Sequence, residues 1–78
     1  MTDASQNFED WTTGLAAALG VQDEVPVTEL LEVTREVAHG VTRPAGPITT
    51  YLIGLAVARG LPFDQAVAAV RARIADQA

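Results

Sequence analysis

Apolar residues recur at helical spacing in four segments of the chain, and glycine or proline separates each segment from the next. Helices are predicted at about residues 7–19, 27–38, 47–59 and 63–75, with Pro47 as the first residue of the third helix. No segment alternates apolar and polar residues as a strand does. The pattern therefore predicts an all-α fold, a compact bundle of four short helices.

The beginning of the chain is mostly polar, and residues 1–6 are predicted to form a disordered N-terminal tail. Residues 7–78 then form a single helical domain, because a chain of 78 residues has room for one small core. An alternative arrangement has three helices and an irregular N-terminal arm.

The third predicted helix is apolar on almost every side and has no charged residue between Pro47 and Ala58. A helix of this kind is enclosed by other helices or lies at an interface, and we expect it to be the most buried of the four. Within it, Thr50, Gly54 and Ala58 follow one another at intervals of four residues. These small residues predict a ridge along which another helix approaches closely.

Three aromatic residues leave two interpretations open. Trp11, Tyr51 and Phe63 occupy apolar positions at helical spacing, which is typical of core side chains. The alternative is that they meet in one pocket and stack on a planar ligand.

Charge is divided unevenly along the chain. Residues 1–36 carry eight acidic side chains against one arginine, whereas residues 37–78 carry two against four arginines. A net charge of −5 without clustered cations argues against a nucleic-acid partner. The chain has no cysteine, no signal-peptide pattern and no apolar run near the ~20 residues of a membrane span, so a cytoplasmic location without a membrane partner is expected.

The loop before the third helix concentrates the only histidine, an arginine and two prolines. Arg43 precedes a predicted helix start whose free N–H groups, at Ile48 and Thr49, attract anions. One hypothesis is therefore a site for a phosphate or carboxylate, formed by His39, Arg43, Thr49 and Thr50. The alternative is structural: His39 and Arg43 bond the exposed carbonyl groups at the end of the second helix and pin the loop, while the threonines cap and pack.

No catalytic or metal-binding constellation is evident in the sequence. His39 has Glu36 at helical spacing, but general-base catalysis needs an orienting partner, and a metal site needs two or more further ligands. A Gly-x-x-x-x-Gly-Lys phosphate loop cannot occur in a chain that has no lysine. We therefore expect no enzyme activity, no cofactor and no bound metal.

Three stretches of the chain carry a family likeness: Trp11 to Leu15, Ala18 to Gly20, and Val37 to Gly54. The specific part is the element Ala-His-x-Val-x-Arg-Pro-Ala-x-Pro. In these stretches the sequence resembles a small actinobacterial helical domain of unknown function, which occurs alone or joined to molybdenum-cofactor guanylyltransferase-like proteins. Gly46 stands where many relatives are expected to have alanine, a difference that should loosen the turn. The resemblance implies an accessory role in which the nucleotidyltransferase chemistry belongs to the partner.

Two functional hypotheses follow. The first is a non-catalytic accessory or protein-interaction domain, linked to the biosynthesis of molybdopterin guanine dinucleotide, with a guanylyltransferase or a molybdoenzyme as its partner. It predicts an apolar surface patch near the third or fourth helix. The second is a small-molecule binding domain that holds an anionic group of a nucleotide or pterin at Arg43 and the N-terminus of the third helix. A homodimer is a further option.

Overall fold

The computed structural model describes residues 4–77 and contains four helices over that range. They are α1 (Ala4–Ala18), α2 (Val27–Gly40), α3 (Ala45–Ala58) and α4 (Phe63–Gln77). The predicted all-α bundle of four helices is confirmed. Within the described part of the chain, no helix is long and apolar enough to cross a membrane.

The N-terminal helix begins earlier than predicted. α1 starts at Ala4 rather than Asn7, so residues 4–6 of the predicted tail are helical, and residues 1–3 lie outside the described residues. The alternative of an irregular N-terminal arm is therefore wrong, because the segment is a regular helix.

The start of α3 also lies two residues before its predicted position. The N–H groups of Ala45 and Gly46 already donate to the carbonyls of Thr42 and Arg43, at 3.1 Å each. Pro47 is consequently the third helical residue rather than the first. Proline costs little there, since N–H groups in the first turn have no partner within the helix.

The core is small and comes from three of the four helices. α2, α3 and α4 contact one another, whereas no Cα of α1 lies within 8 Å of a Cα of another helix. Phe63 and Val70 of α4 pack at the edge of the core. The buried apolar side chains are Val33, Val37, Ile53, Ala66 and Val67.

The expectation that α3 is the most buried helix is wrong. Only Gly46 and Ile53 of α3 are buried, as many residues as in α2 or α4. Ile48, Tyr51 and Leu52 are exposed. Two neighbouring helices cover one side of α3, and α1 does not cover the other.

Two glycines bring helices close together. A Cβ atom at Gly40 would lie 2.6 Å from Cγ2 of Ile74, so α4 packs directly against the end of α2. A Cβ at Gly46 would lie 3.1 Å from Cγ2 of Thr34, where the start of α3 meets α2. Gly40 is the last residue of α2, where the helix was expected to end. Its missing side chain also leaves the space that Ile74 of α4 occupies.

Two other glycines end helices in the left-handed region. Gly20 follows α1 with a φ of 71°, and Gly60 follows α3 with a φ of 104°. After α1, the N–H of Val21 donates to the carbonyl of Ala16 at 2.8 Å, which is the bond of a Schellman turn. The predicted stop at Gly20 is confirmed.

One ion pair joins α2 to α4 at the surface. The Arg71 guanidinium donates from Nε and Nη2 to the two carboxylate oxygens of Glu36, at 2.9 and 3.0 Å. This hydrogen bond is the main reason that the pKa of Glu36 lies below its ordinary value, and the pKa of Arg71 is raised by the same contact. The two residues are 35 positions apart, so the pair links two helices that are distant in the sequence.

We expect Gly54→Ala to raise the free energy of unfolding by about 0.5–1 kcal/mol, because alanine is the better helix former and its Cβ would meet open space. Gly40→Ala should lower it by about 1–2 kcal/mol, because overpacking against Ile74 outweighs the gain in helix propensity. Thermal unfolding followed by circular dichroism measures both, at about 4–8 °C per kcal/mol. Equal stabilisation by the two variants would contradict the tight contact at Gly40.

The ion pair predicts a pH dependence of stability. Because the pKa of Glu36 is lowered in the folded state, its contribution is full above the unfolded glutamate pKa of about 4.3 and is lost as pH falls through the lowered value. Glu36→Gln should therefore destabilise the protein at neutral pH and flatten the acid side of the stability profile. Urea unfolding across this pH range tests it, with Glu24→Gln in the loop before α2 as the control.

Candidate functional site

An apolar groove of about 410 Å³ lies between α3 and α4 and extends to the end of α2. Val37 and Ile53 belong both to the core and to the lining of the groove. The core therefore forms one wall of the groove. We call this feature the apolar groove. Its lining residues include Val37, Val41, Leu52, Ile53, Val70 and Ile74.

Few polar groups reach the apolar groove. Among the described residues that line it, Thr49, Arg73 and Gln77 have polar side chains, and Arg73 is the single charged one. Arg73 is exposed near the C-terminal end of α4. The groove is therefore suited to apolar side chains, with one guanidinium at its rim for a carboxylate.

A second apolar surface adjoins the groove. Ile48, Tyr51 and Leu52 are 63%, 68% and 58% exposed, and we call these three residues the α3 face. α3 has no charged residue to break this surface. Leu52 also lines the apolar groove, so the two features are continuous. The predicted apolar patch near the third and fourth helices is present.

The ridge of small residues does not receive a helix within the described structure. Gly54 is exposed, and a Cβ atom there would meet nothing within 4 Å. Thr50 donates its hydroxyl to the carbonyl of Pro47 at 3.0 Å. The close helix approaches are instead at Gly40 and Gly46.

The four residues of the predicted anion site differ in their positions and contacts in the fold. His39 lies exposed in the last turn of α2, and Arg43 lies exposed in the loop that follows. Thr49 lines the apolar groove. Thr50 uses its hydroxyl on the backbone of its own helix.

The backbone N–H groups that were predicted to bind the anion do not lie at the start of α3. Because α3 begins at Ala45, Ile48 and Thr49 are its fourth and fifth residues. N–H groups from about this position onward donate to carbonyls one turn earlier. Those of Ala45 and Gly46 are paired with loop carbonyls. The early helix start therefore moves Ile48 and Thr49 out of the first three positions of α3, and the anion site stays a prediction.

The structural alternative for the same loop also needs correction. Within residues 4–77, neither His39 nor Arg43 makes a side-chain hydrogen bond or ion pair. The carbonyl of Val37, at the end of α2, accepts from the N–H of Val41 at 2.9 Å instead. The backbone itself closes the helix, without a side-chain bond from His39 or Arg43.

The aromatic residues fit neither interpretation as a group. Phe63 is half-buried and packs against the core, as expected. Trp11 and Tyr51 are each 68% exposed, so the core location predicted for them is wrong. The three residues do not line a common pocket among the described cavities.

The periodicity of α1 places apolar residues on one face of the helix but does not indicate whether another helix covers that face. Phe8, Trp11, Leu15 and Leu19 are all exposed, and we call them the α1 stripe. The amphipathic pattern by itself is the same whether a helix packs in its own chain or in another. The absence of contact with other helices is visible only in the fold.

The other side of α1 faces the linker to α2. A cleft of about 730 Å³ is lined by residues of α1, among them Thr12 and Ala16, and by Val25 and Val27 beyond it. Thr12 and Ala16 are half-buried. α1 thus directs its polar side to its own linker.

Acid–base and metal chemistry find little support in the geometry. Within the described residues, no group of three or more His, Cys, Asp or Glu side chains is placed to hold a metal ion. Glu36, the one acid at helical spacing from His39, is engaged by Arg71. His39 therefore lacks an orienting carboxylate.

We expect Arg43→Ala to change the free energy of unfolding by less than about 0.5 kcal/mol, because the side chain is exposed and surface changes without a specific role are near neutral. Urea unfolding measures this effect. Titration of both proteins with inorganic phosphate, followed by NMR, tests the anion hypothesis at the same residue. A marked loss of stability would restore a loop-pinning role for Arg43.

No curated protein and no solved structure matches this chain. A family model matches residues 3–78, which is nearly the whole chain. The resemblance to a domain of unknown function is thereby confirmed, without assignment of a reaction, a ligand or a partner. The chain belongs to the family described as domain of unknown function DUF6457.

Proposed function

We propose that this chain is a non-catalytic protein-interaction domain whose docking surface is the apolar groove together with the α3 face. One observation carries the proposal: a helix without any charge leaves Ile48, Tyr51 and Leu52 mostly exposed beside the groove. Continuous apolar surface of this kind marks interaction sites in soluble proteins.

The shape of the surface favours a helical occupant. The groove lies between the helices α3 and α4 and is lined mostly by aliphatic side chains. Helix-in-groove recognition uses this geometry, in which apolar residues at intervals of three and four enter the groove. Arg73 at the rim provides a contact for an acidic residue on the polar side of the bound helix.

The exposed side chains are also suited to be anchors. Full burial of a leucine or isoleucine contributes about 1.5–3 kcal/mol, and tyrosine is enriched among the residues that dominate binding energy. Ile48, Tyr51 and Leu52 are more than half exposed, so most of this gain is still available on binding. An anionic small molecule is less well served, because Arg43 does not line the groove.

The partner that we propose is a molybdenum-cofactor guanylyltransferase-like protein or a molybdoenzyme. The family resemblance supports this choice, since similar domains are joined to guanylyltransferase-like proteins. In this role the domain acts in the cytoplasm as an accessory of cofactor biosynthesis, and the partner carries the chemistry. The actinobacterial source implied by the resemblance is part of the same proposal.

We expect Leu52→Glu to abolish binding to such a guanylyltransferase from the same organism, because a carboxylate would enter the apolar groove without a partner. Leu31→Glu is the matched control, since Leu31 is 51% exposed and lies on α2 outside the groove. Both leucines are exposed, so both variants should fold. Calorimetric titration of the purified proteins measures the affinities.

Equal loss of binding in the two variants would contradict the assigned surface. Binding that neither variant weakens would place the contact elsewhere on the domain. If the wild-type domain binds neither a guanylyltransferase nor a molybdoenzyme, the proposed link to the cofactor is overturned.

A further inference from the structure

We infer that the apolar groove receives α1 of a second copy of this chain, and that the contact is reciprocal, so that two copies exchange their N-terminal helices. This inference rests on the proposed docking role of the groove and names what occupies it when the partner protein is absent. The partner of stated chemistry is an amphipathic helix with an apolar stripe and an acidic polar side.

The α1 stripe has the spacing that a groove recognises. Phe8, Trp11, Leu15 and Leu19 follow one another at intervals of three or four residues, so they form a single row along the helix. Trp11 and Leu19 are the most exposed of the four, at 68% each. Phe8 and Leu15 are 45% and 41% exposed, so all four side chains present apolar surface that their own chain leaves uncovered.

Within one chain, the α1 stripe and the apolar groove are both uncovered. α1 ends in the turn at Gly20, where the N–H of Val21 is held by the carbonyl of Ala16. Its half-buried side, with Thr12 and Ala16, faces the linker. Docking of α1 on its own groove would require this arrangement to change, whereas docking on a second copy would not.

The exposed area is larger than a monomer of this size needs. The chain of 8.2 kDa exposes 6081 Å², compared with about 4,500 Å² for a typical folded monomer of the same mass. The excess is about 1,500 Å², and a stable interface buries about 800 Å² on each partner. The excess exposed area of each chain is therefore large enough for the surface that it would bury in two reciprocal contacts between α1 and the groove.

Charge favours the contact between α1 and the groove over a contact between two α1 helices. Within α1 the charged residues are Glu9 and Asp10, both acidic. In the groove the single charged lining residue is Arg73. Both acids lie off the apolar stripe, and Glu9 lines the linker cleft, so they act through the overall charge of the helix. An α1-to-groove contact brings an acidic helix to a surface whose single charged lining residue is an arginine, whereas α1 against α1 would bring two acidic helices together. Reciprocal exchange also closes the assembly as a symmetric dimer and leaves no unfilled groove.

The only tryptophan of the chain makes the contact directly observable. We expect sedimentation equilibrium to show a mass that rises with concentration from 8.2 kDa toward about twice that value. The emission of Trp11 should shift to the blue along the same curve, because its exposed indole enters an apolar site. A monomeric mass throughout the concentration range would overturn the inference. A blue-shifted emission at that monomeric mass would indicate docking of α1 within one chain.

Two variants with opposite defects test which surfaces meet. Leu15→Glu damages the stripe and Leu52→Glu damages the groove, and each should raise the dissociation constant about thirtyfold or more, as loss of an anchor residue does. Thr13→Glu is the control on α1, because it lies 200° around the helix from Leu15. Leu31→Glu is the control on α2. Both controls should dimerise like wild type.

An equimolar mixture of the two damaged variants gives the sharpest outcome. One chain retains a sound stripe and the other a sound groove, so one of the two contacts can form and the mixture should associate more strongly than either variant alone. A mixture that stays as monomeric as its components would mean that like surfaces pair, and the exchange would be overturned.

Failure of this inference is distinguishable from failure of the proposed function. Self-association is measured on the purified chain alone, whereas the proposed function is measured by binding to a second protein. A strictly monomeric chain whose partner binding is lost in Leu52→Glu but not in Leu31→Glu would overturn the exchange and leave the docking role intact.

Discussion

The close packing of α2 against both α3 and α4 is the constraint on which the rest of the structure depends. Val33 is completely buried at this junction. The helices approach so closely because Gly40 and Gly46 present no side chain to Ile74 and Thr34. The core is narrow: its buried side chains are three valines, one alanine and Ile53, with Phe63 and Val70 at its edge, and most of the larger apolar residues stay outside it. Their exposure on α1 and α3 follows directly.

The number and type of the helices could be predicted from sequence because apolar spacing and glycine or proline stops agree along the chain. What periodicity could not supply was the orientation of α3. A helix that is apolar on every side gives no signal for which side faces the core. Ile53 is buried while Leu52, its neighbour, is exposed, and that choice depends on tertiary contacts alone.

The candidate site was less predictable, for two physical reasons. The apolar groove combines Val37 with Ile74, which are far apart in sequence, and only the packing of α2 on α4 brings them together. The anion hypothesis depended on where α3 begins. Pro44 has helical dihedral angles, and Gly46 before Pro47 lacks the Cβ that usually resists a helical conformation at such a position. The helix could therefore start two residues early, which moves Ile48 and Thr49 out of its first three positions.

The division of the core among α2, α3 and α4 also sets an order for folding during synthesis. α1 is made before the other three helices, but none of its Cα atoms lies within 8 Å of another helix, so it gains little tertiary support from them. The apolar α3 is made before Ala66 and Val67, which complete the core around Val33. Until α4 has left the ribosome, the nascent chain displays its most hydrophobic helix without its full cover, and this is the interval in which it is most exposed to aggregation and chaperones.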